Sequence, residues 1–195
     1  MTVTWLALLL ALAPVVPESG RFTIRQDGRT IGTERFTIQS TPSGYRVEGR
    51  TELNGTPNAI TSRMELDNNL NPTSYEYSNG NGSIRIKVQA PSSELTIVNQ
   101  GSESSTDFKF PDSGSILDNN FFHHYILLLY RIRGADQTFS VFVPQDMQVG
   151  QAHVRSTGNR TYAVEVGDVK LEATVDGEGR LQRLSVPSAK VVVER

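Results

Sequence analysis

The 195-residue chain contains no cysteine. Disulfides, thiolate metal sites and cysteine nucleophiles are excluded together, and so is a lipid-modified N-terminal cysteine. Positive charge is also scarce. Nineteen Lys and Arg against 21 Asp and Glu leave a net charge of −2, and with no basic cluster the chain lacks the footprint of a nucleic-acid binder. Catalytic motifs are missing as well. There is no GxSxG, no HExxH and no Ser-x-x-Lys with its companion motifs, and Gly80-Asn81-Gly82 follows a turn and precedes a strand, so it makes no phosphate cradle. These absences point to a protein that is not an enzyme and carries no cofactor.

Long apolar runs are confined to the N-terminus, where Trp5 to Ala13 reads WLALLLALA and is followed by Pro14 and Pro17. The run has the length of a signal-peptide core rather than of a membrane span. It lacks an upstream Lys or Arg, so an uncleaved short anchor or a first strand are its other readings. The expectation is a signal peptide over residues 1–19, a mature domain over 20–195, and a periplasmic or secreted location with no stable membrane span after cleavage.

From Arg21 onwards the pattern has period two, as strands with one wet face require. Phe22 and Ile24 are followed by an Asp27-Gly28 hairpin turn, and Phe36 and Ile38 share a face of the returning strand. Tyr45, Val47, Gly49, Thr51 and Leu53 form the inward set of a third strand. Short alternating segments joined by Gly, Asn and Pro turns continue to the end, with Gln100 to Asp107 reading as a Ser-rich loop. One segment breaks the rhythm. Ser115 to Gly134, SILDNNFFHHYILLLYRIRG, reads as a helix near 117–133, with Ser115 or Asp118 as its cap and Gly134 at its end. On a wheel of about 100° per residue, Phe121, Phe122, Tyr125, Ile126, Leu128, Leu129 and Ile132 share a broad apolar arc. His123, His124 and Arg131 fall opposite, with Leu127 among them. The fold class expected is mainly β: one large curved antiparallel sheet, a half-barrel or open barrel, packed on a single central helix.

The adjacent histidines diverge by about 100° on a helix, so they do not chelate a metal as an i, i+4 pair does, and no metal site is expected. They are expected instead at a half-exposed interface. Asp112, Asp118 and Glu34 stand as isolated carboxylates suited to capping or surface ion pairs. The wide apolar arc suggests that an apolar or lipid-like ligand is held between sheet and helix, with Phe121, Tyr125, Leu128 and Ile132 of the helix and Phe36 and Tyr75 of the sheet as lining. The alternative is a structural or protein-interaction module of the cell envelope with no small ligand.

The opening Gly20-Arg21-Phe22-Thr23-Ile24, the Asp27-Gly28 turn and the following Ile31-Gly32-x-Glu34 resemble a group of exported bacterial β-rich proteins of unknown function. The resemblance implies a long antiparallel sheet after the first hairpin. The architecture expected is also similar to the half-barrel of periplasmic lipoprotein carriers. Neither resemblance supplies catalytic residues.

Overall fold

The computed structural model describes residues 17–195. The apolar segment read as a signal peptide lies outside the described residues. Among the described residues fifteen strands form one sheet. The first half is a meander of β1 (Glu18–Gln26), β2 (Arg29–Thr41), β3 (Gly44–Leu53), β4 (Ile60–Leu66), β5 (Pro72–Ser78), β6 (Gly82–Lys87), β7 (Ser93–Asn99) and β8 (Ser102–Phe108). A two-residue strand, β9 (Ser115–Ile116), leads into helix α1 (His124–Arg131). The second meander comprises β10 (Asp136–Val143), β11 (Gln148–Gly158), β12 (Thr161–Val166), β13 (Val169–Val175), β14 (Leu181–Val186) and β15 (Val191–Glu194).

Each strand lies beside its sequence neighbour, and the two meanders join where β1 pairs with β15. The described residues therefore begin and end mid-sheet, with β8 at one edge and β9 at the other. Nearly all the pairings are antiparallel, as two-residue turns allow. The exception is β9 with β10, which run parallel because α1 makes the connection between them. A sheet this wide must curl. Its two ends approach through aromatic rings, Phe108 of β8 stacking on Phe142 of β10 at 4.7 Å, with Phe110 at 6.0 Å from the same ring.

The inward rows read from the sequence are observed. Phe22, Ile24, Phe36, Ile38, Val47, Met64 and Tyr75 are buried on one face, and α1 lies in the concavity with Ile126, Leu127 and Leu128 buried. This is the curved sheet on one helix that the alternation implies. At the first hairpin Asp27 and Gly28 both take positive φ, 49° and 77°, the backbone a tight primed turn needs.

Two expectations are corrected. The helix spans eight residues rather than the stretch near 117–133: His123 is its N-cap, with no side-chain cap, and residues 118–123 form turns. The reason is that Asp118 and the backbone that follows are held by partners from the sheet, which replace the local cap. The Ser-rich stretch after Gln100 is a strand, β8, with every residue from Ser102 to Asp107 exposed. Its polarity reflects an edge position wet on both faces.

Candidate functional site

The polar chemistry of the interior gathers where the turn before α1 meets β2, β3 and β5. Glu34 of β2 is completely buried. One of its oxygens, Oε1, accepts from the backbone N–H of His123 at 2.8 Å and meets the ring Nδ1 of the same residue at 2.9 Å. The other, Oε2, accepts from the Phe122 N–H at 2.8 Å and from the Thr51 hydroxyl at 3.3 Å. Two backbone N–H groups, a ring nitrogen and a hydroxyl shared with the Asn120 carbonyl thus converge on one carboxylate, the acceptor-rich group suited to them. A strand residue does for the helix entrance what a local N-cap would have done, since N–H groups at a helix start have no partner within the helix.

A second carboxylate sits alongside. Asp118, 1% exposed, accepts from the Tyr75 hydroxyl, from the backbone N–H of Asn120 at 2.8 Å and from the Asn120 amide at 3.0 Å. The Asp118 N–H donates to His124 Nδ1 at 3.2 Å. Burial, and then the nearby Asp118 charge, push the Tyr75 hydroxyl well above the ordinary tyrosine range and keep it a donor. Burial likewise drives His124 well below the ordinary histidine range, with the neighbouring His123 adding to the effect, so the ring is neutral.

The histidine pair is therefore not half-exposed. His123 and His124 are 0% and 1% exposed, their rings edge-on at 4.6 Å, with Phe36 stacked on His123 at 5.9 Å and Phe121 stacked on His124 at 5.7 Å. The wheel placed them outward because it assumed helix through residues that are turns. They point inward because Glu34 and Asp118 wait there. Room for the His123 ring comes from Gly49 of β3, where an added Cβ would stand 2.2 Å from His123 Cε1. Among the described residues the Nε2 atoms of both rings and the hydroxyl of Ser62 have no hydrogen-bond partner.

The far end of α1 is tied down differently. Arg131 donates to the carbonyls of Gly114 and Ser113 at 3.2 and 2.6 Å and to the Ser115 hydroxyl, while its guanidinium lies 5.6 Å over the Phe139 ring. Tyr130 donates at 2.7 Å to Glu18, which also receives Arg195 at 2.7 Å. Both chain ends of the β domain are thus fastened to the helix.

Of the six residues expected to line a ligand site, Phe36, Tyr75, Phe121 and Leu128 are buried at 2% exposure or less and pack into the core around the polar network. Tyr125 and Ile132 are half-buried and, with Phe122 and Leu129, pack as an apolar stripe against the edge of the core. Burial raises the Tyr125 hydroxyl to about 12. The structure thus divides the six between interior and stripe. Among the described residues, two of the cavities lie elsewhere. One of about 670 Å³ is a trough on the solvent face of β2–β6, lined in part by Arg35, Arg50, Arg63 and Arg85. The other, about 410 Å³, lies near β12, β13 and the turn at Pro187.

Sequence reasoning passed over Glu34 as an isolated carboxylate. The signal was present: Glu34 has the same parity as Phe36 and Ile38, so period two already placed it inward. Nothing local distinguished the histidines from a surface pair.

The profile of a family described as protein of unknown function (DUF3108) matches residues 21–180. The chain belongs to the DUF3108 family. No curated protein matches it. Among solved structures, a crystal structure of a DUF1089 family protein from Pseudomonas aeruginosa is similar over 97% of each chain, at 10% identity and a TM-score of 0.48. That likeness is too loose to carry an argument about this DUF3108 chain. Its family match begins at Arg21 and takes in Glu34, Thr51, Asp118 and both buried histidines.

Proposed function

We propose that this chain is an exported, non-catalytic interaction module of the cell envelope, its half-barrel closed by its own helix. One observation carries the reading: the interior that a carrier would leave open is filled, with Phe36, Tyr75, Phe121 and Leu128 burying one another around the Glu34 and Asp118 network. Among the described residues the interior contact between a histidine ring and a carboxylate, His123 with Glu34, is 0% exposed on both sides, which supports a structural role for it rather than a catalytic one. Export rests on the apolar Trp5–Ala13 run and the prolines after it. Photo-crosslinking in cells, with the probe at Ser104 of the exposed edge strand β8, tests the reading. A discrete protein adduct is expected, because an unpaired strand edge is where a partner chain adds. Lipid adducts alone would contradict it.

A second reading has one observation in its favour. The stripe of Phe122, Tyr125, Leu129 and Ile132 is apolar yet half-buried, which suits an apolar or lipid-like ligand at the mouth of the half-barrel rather than inside it. That reading expects uptake of a fluorescent fatty-acid probe, reduced by Ile132→Asp. The interaction-module reading expects none.

A further inference from the structure

The solvent face of the first strands carries an arrangement that neither the fold nor the interior network requires. Arg21 of β1 stands directly opposite Arg35 of β2, and Arg35 directly opposite Arg50 of β3. All three side chains are exposed. Like charges in direct cross-strand opposition are destabilising, and a sheet can avoid them. The neighbouring row does: Glu48, Arg63, Glu76 and Arg85 alternate in sign across β3 to β6. Glu48 and Glu52 both stand diagonal to Arg35, but Glu48 pairs with Arg63, which leaves the row its counter-charge from Glu52. It pairs with Arg50 at 2.9 Å, and its carboxyl is held below the ordinary range by Arg50 first and more weakly by Arg35 and Arg21. Among the described residues neither Arg21 nor Arg35 forms an ion pair within 4.0 Å, whereas Arg46, Arg63 and Arg85 do.

The same row continues as hydroxyls. Arg50 is opposite Thr61, Thr61 opposite Ser78, and Ser78 opposite Ser83. At about 4.8 Å per strand, the line from Arg21 to Ser83 runs about 24 Å. Its middle crosses the 670 Å³ trough, whose lining holds four arginines against two glutamates, Glu48 and Glu76. Arg50 pairs with Glu52, Arg63 with Glu48 and Glu65, and Arg85 with Glu103, so among the described residues Arg35 is the trough's unpaired cation. An unpaired cation in a concave surface attracts the opposite ion. Guanidinium forks suit phosphate oxygens, and hydroxyls complete such contacts.

We propose that the Arg21–Arg35–Arg50 row and the trough it enters form a binding site for a ligand carrying clustered phosphate groups. The site is on the face of the sheet away from α1 and stands independently of the function proposed above. The bound phosphates supply the missing negative charge between the opposed arginines. The hydroxyl row of Thr61, Ser78 and Ser83 receives the rest of the ligand.

Calorimetric titration of the purified chain with inorganic tripolyphosphate, and sedimentation with vesicles of phosphatidylglycerol in phosphatidylcholine, test the proposal and separate its two sources. A soluble organic phosphate as natural ligand gives binding to tripolyphosphate without vesicles; a lipid headgroup gives vesicle binding, with or without tripolyphosphate. Either supports the site, provided Arg35→Gln/Arg50→Gln lowers affinity by about tenfold or more per arginine removed, while Arg155→Gln on the far strand β11 leaves it unchanged. Thermal melts accompany each variant. The double variant is expected to melt no lower than the natural protein, because it relieves a like-charge row. If it does melt lower, the single Arg35→Gln variant carries the test. No binding to either probe, or equal binding by the arginine variants, overturns the proposal.

Discussion

At the residue scale the molecule depends on one buried carboxylate. Glu34 receives two backbone N–H groups, a hydroxyl and an imidazole nitrogen. Removing one partner of a buried, hydrogen-bonded ionic network costs about 3–5 kcal/mol, because the others stay buried without a match. Glu34→Ala is expected to lose stability of that order in urea titration, and a loss below 1 kcal/mol would mean the network does little. Gly49→Ala drives a methyl into the His123 ring. Overpacking of this kind costs about 1–3 kcal/mol, and the loss should shrink when His123 is also reduced to Ala, a coupling that a double-mutant cycle reads. His124 supplies the pH dependence. Its folded pKa is depressed by burial, whereas in the unfolded chain it is about 6.5. The unfolded state therefore binds the extra proton, and the stabilisation present above about pH 6.5 is lost as the pH falls through that value. The slope from this group approaches 1.4 kcal/mol per pH unit. Denaturation at pH 7.5, 6.5 and 5.5 checks the sign, and His124→Gln, which keeps an acceptor and does not titrate, should flatten the decline.

At the scale of elements, the strands were legible and the helix ends were not. Period two between turn residues is a local signal, and it placed Phe22, Phe36, Val47, Gly49 and Thr51 inward, where they lie. The start of α1 is decided by Glu34, 89 positions away from His123, and by Tyr75, 43 positions from Asp118. No capping rule applied to Ser115 or Asp118 carries that information. The candidate site shows the same division. Phe36, Tyr75, Phe121 and Leu128 were recognisable as interior residues, but whether an interior is filled or hollow depends on volumes that periodicity does not encode. Strand β8 went unread because its six exposed residues show no alternation. It pairs only with β7, so its free edge should exchange early. Hydrogen exchange is expected to label Ser102–Asp107 well before β1 and β15 at the centre of the sheet. Protection of β8 equal to theirs would show that its edge is covered in solution.

At the scale of the whole molecule, two meanders are joined along β1 and β15, and the helix between them is fastened at both ends. Glu34 and Asp118 hold its entrance, and Arg131 with the Tyr130–Glu18–Arg195 set holds its exit. On the interaction-module reading proposed above, the helix takes the place a ligand would occupy, and the sheet offers a partner an edge and an outer face rather than a lumen. That claim distinguishes a closed module from a carrier, and native mass spectrometry of the full chain purified from cells without detergent tests it most directly. The account predicts the mass of the bare polypeptide. A lipid-sized excess that disappears on denaturation, and is reduced by Ile132→Asp, would contradict it.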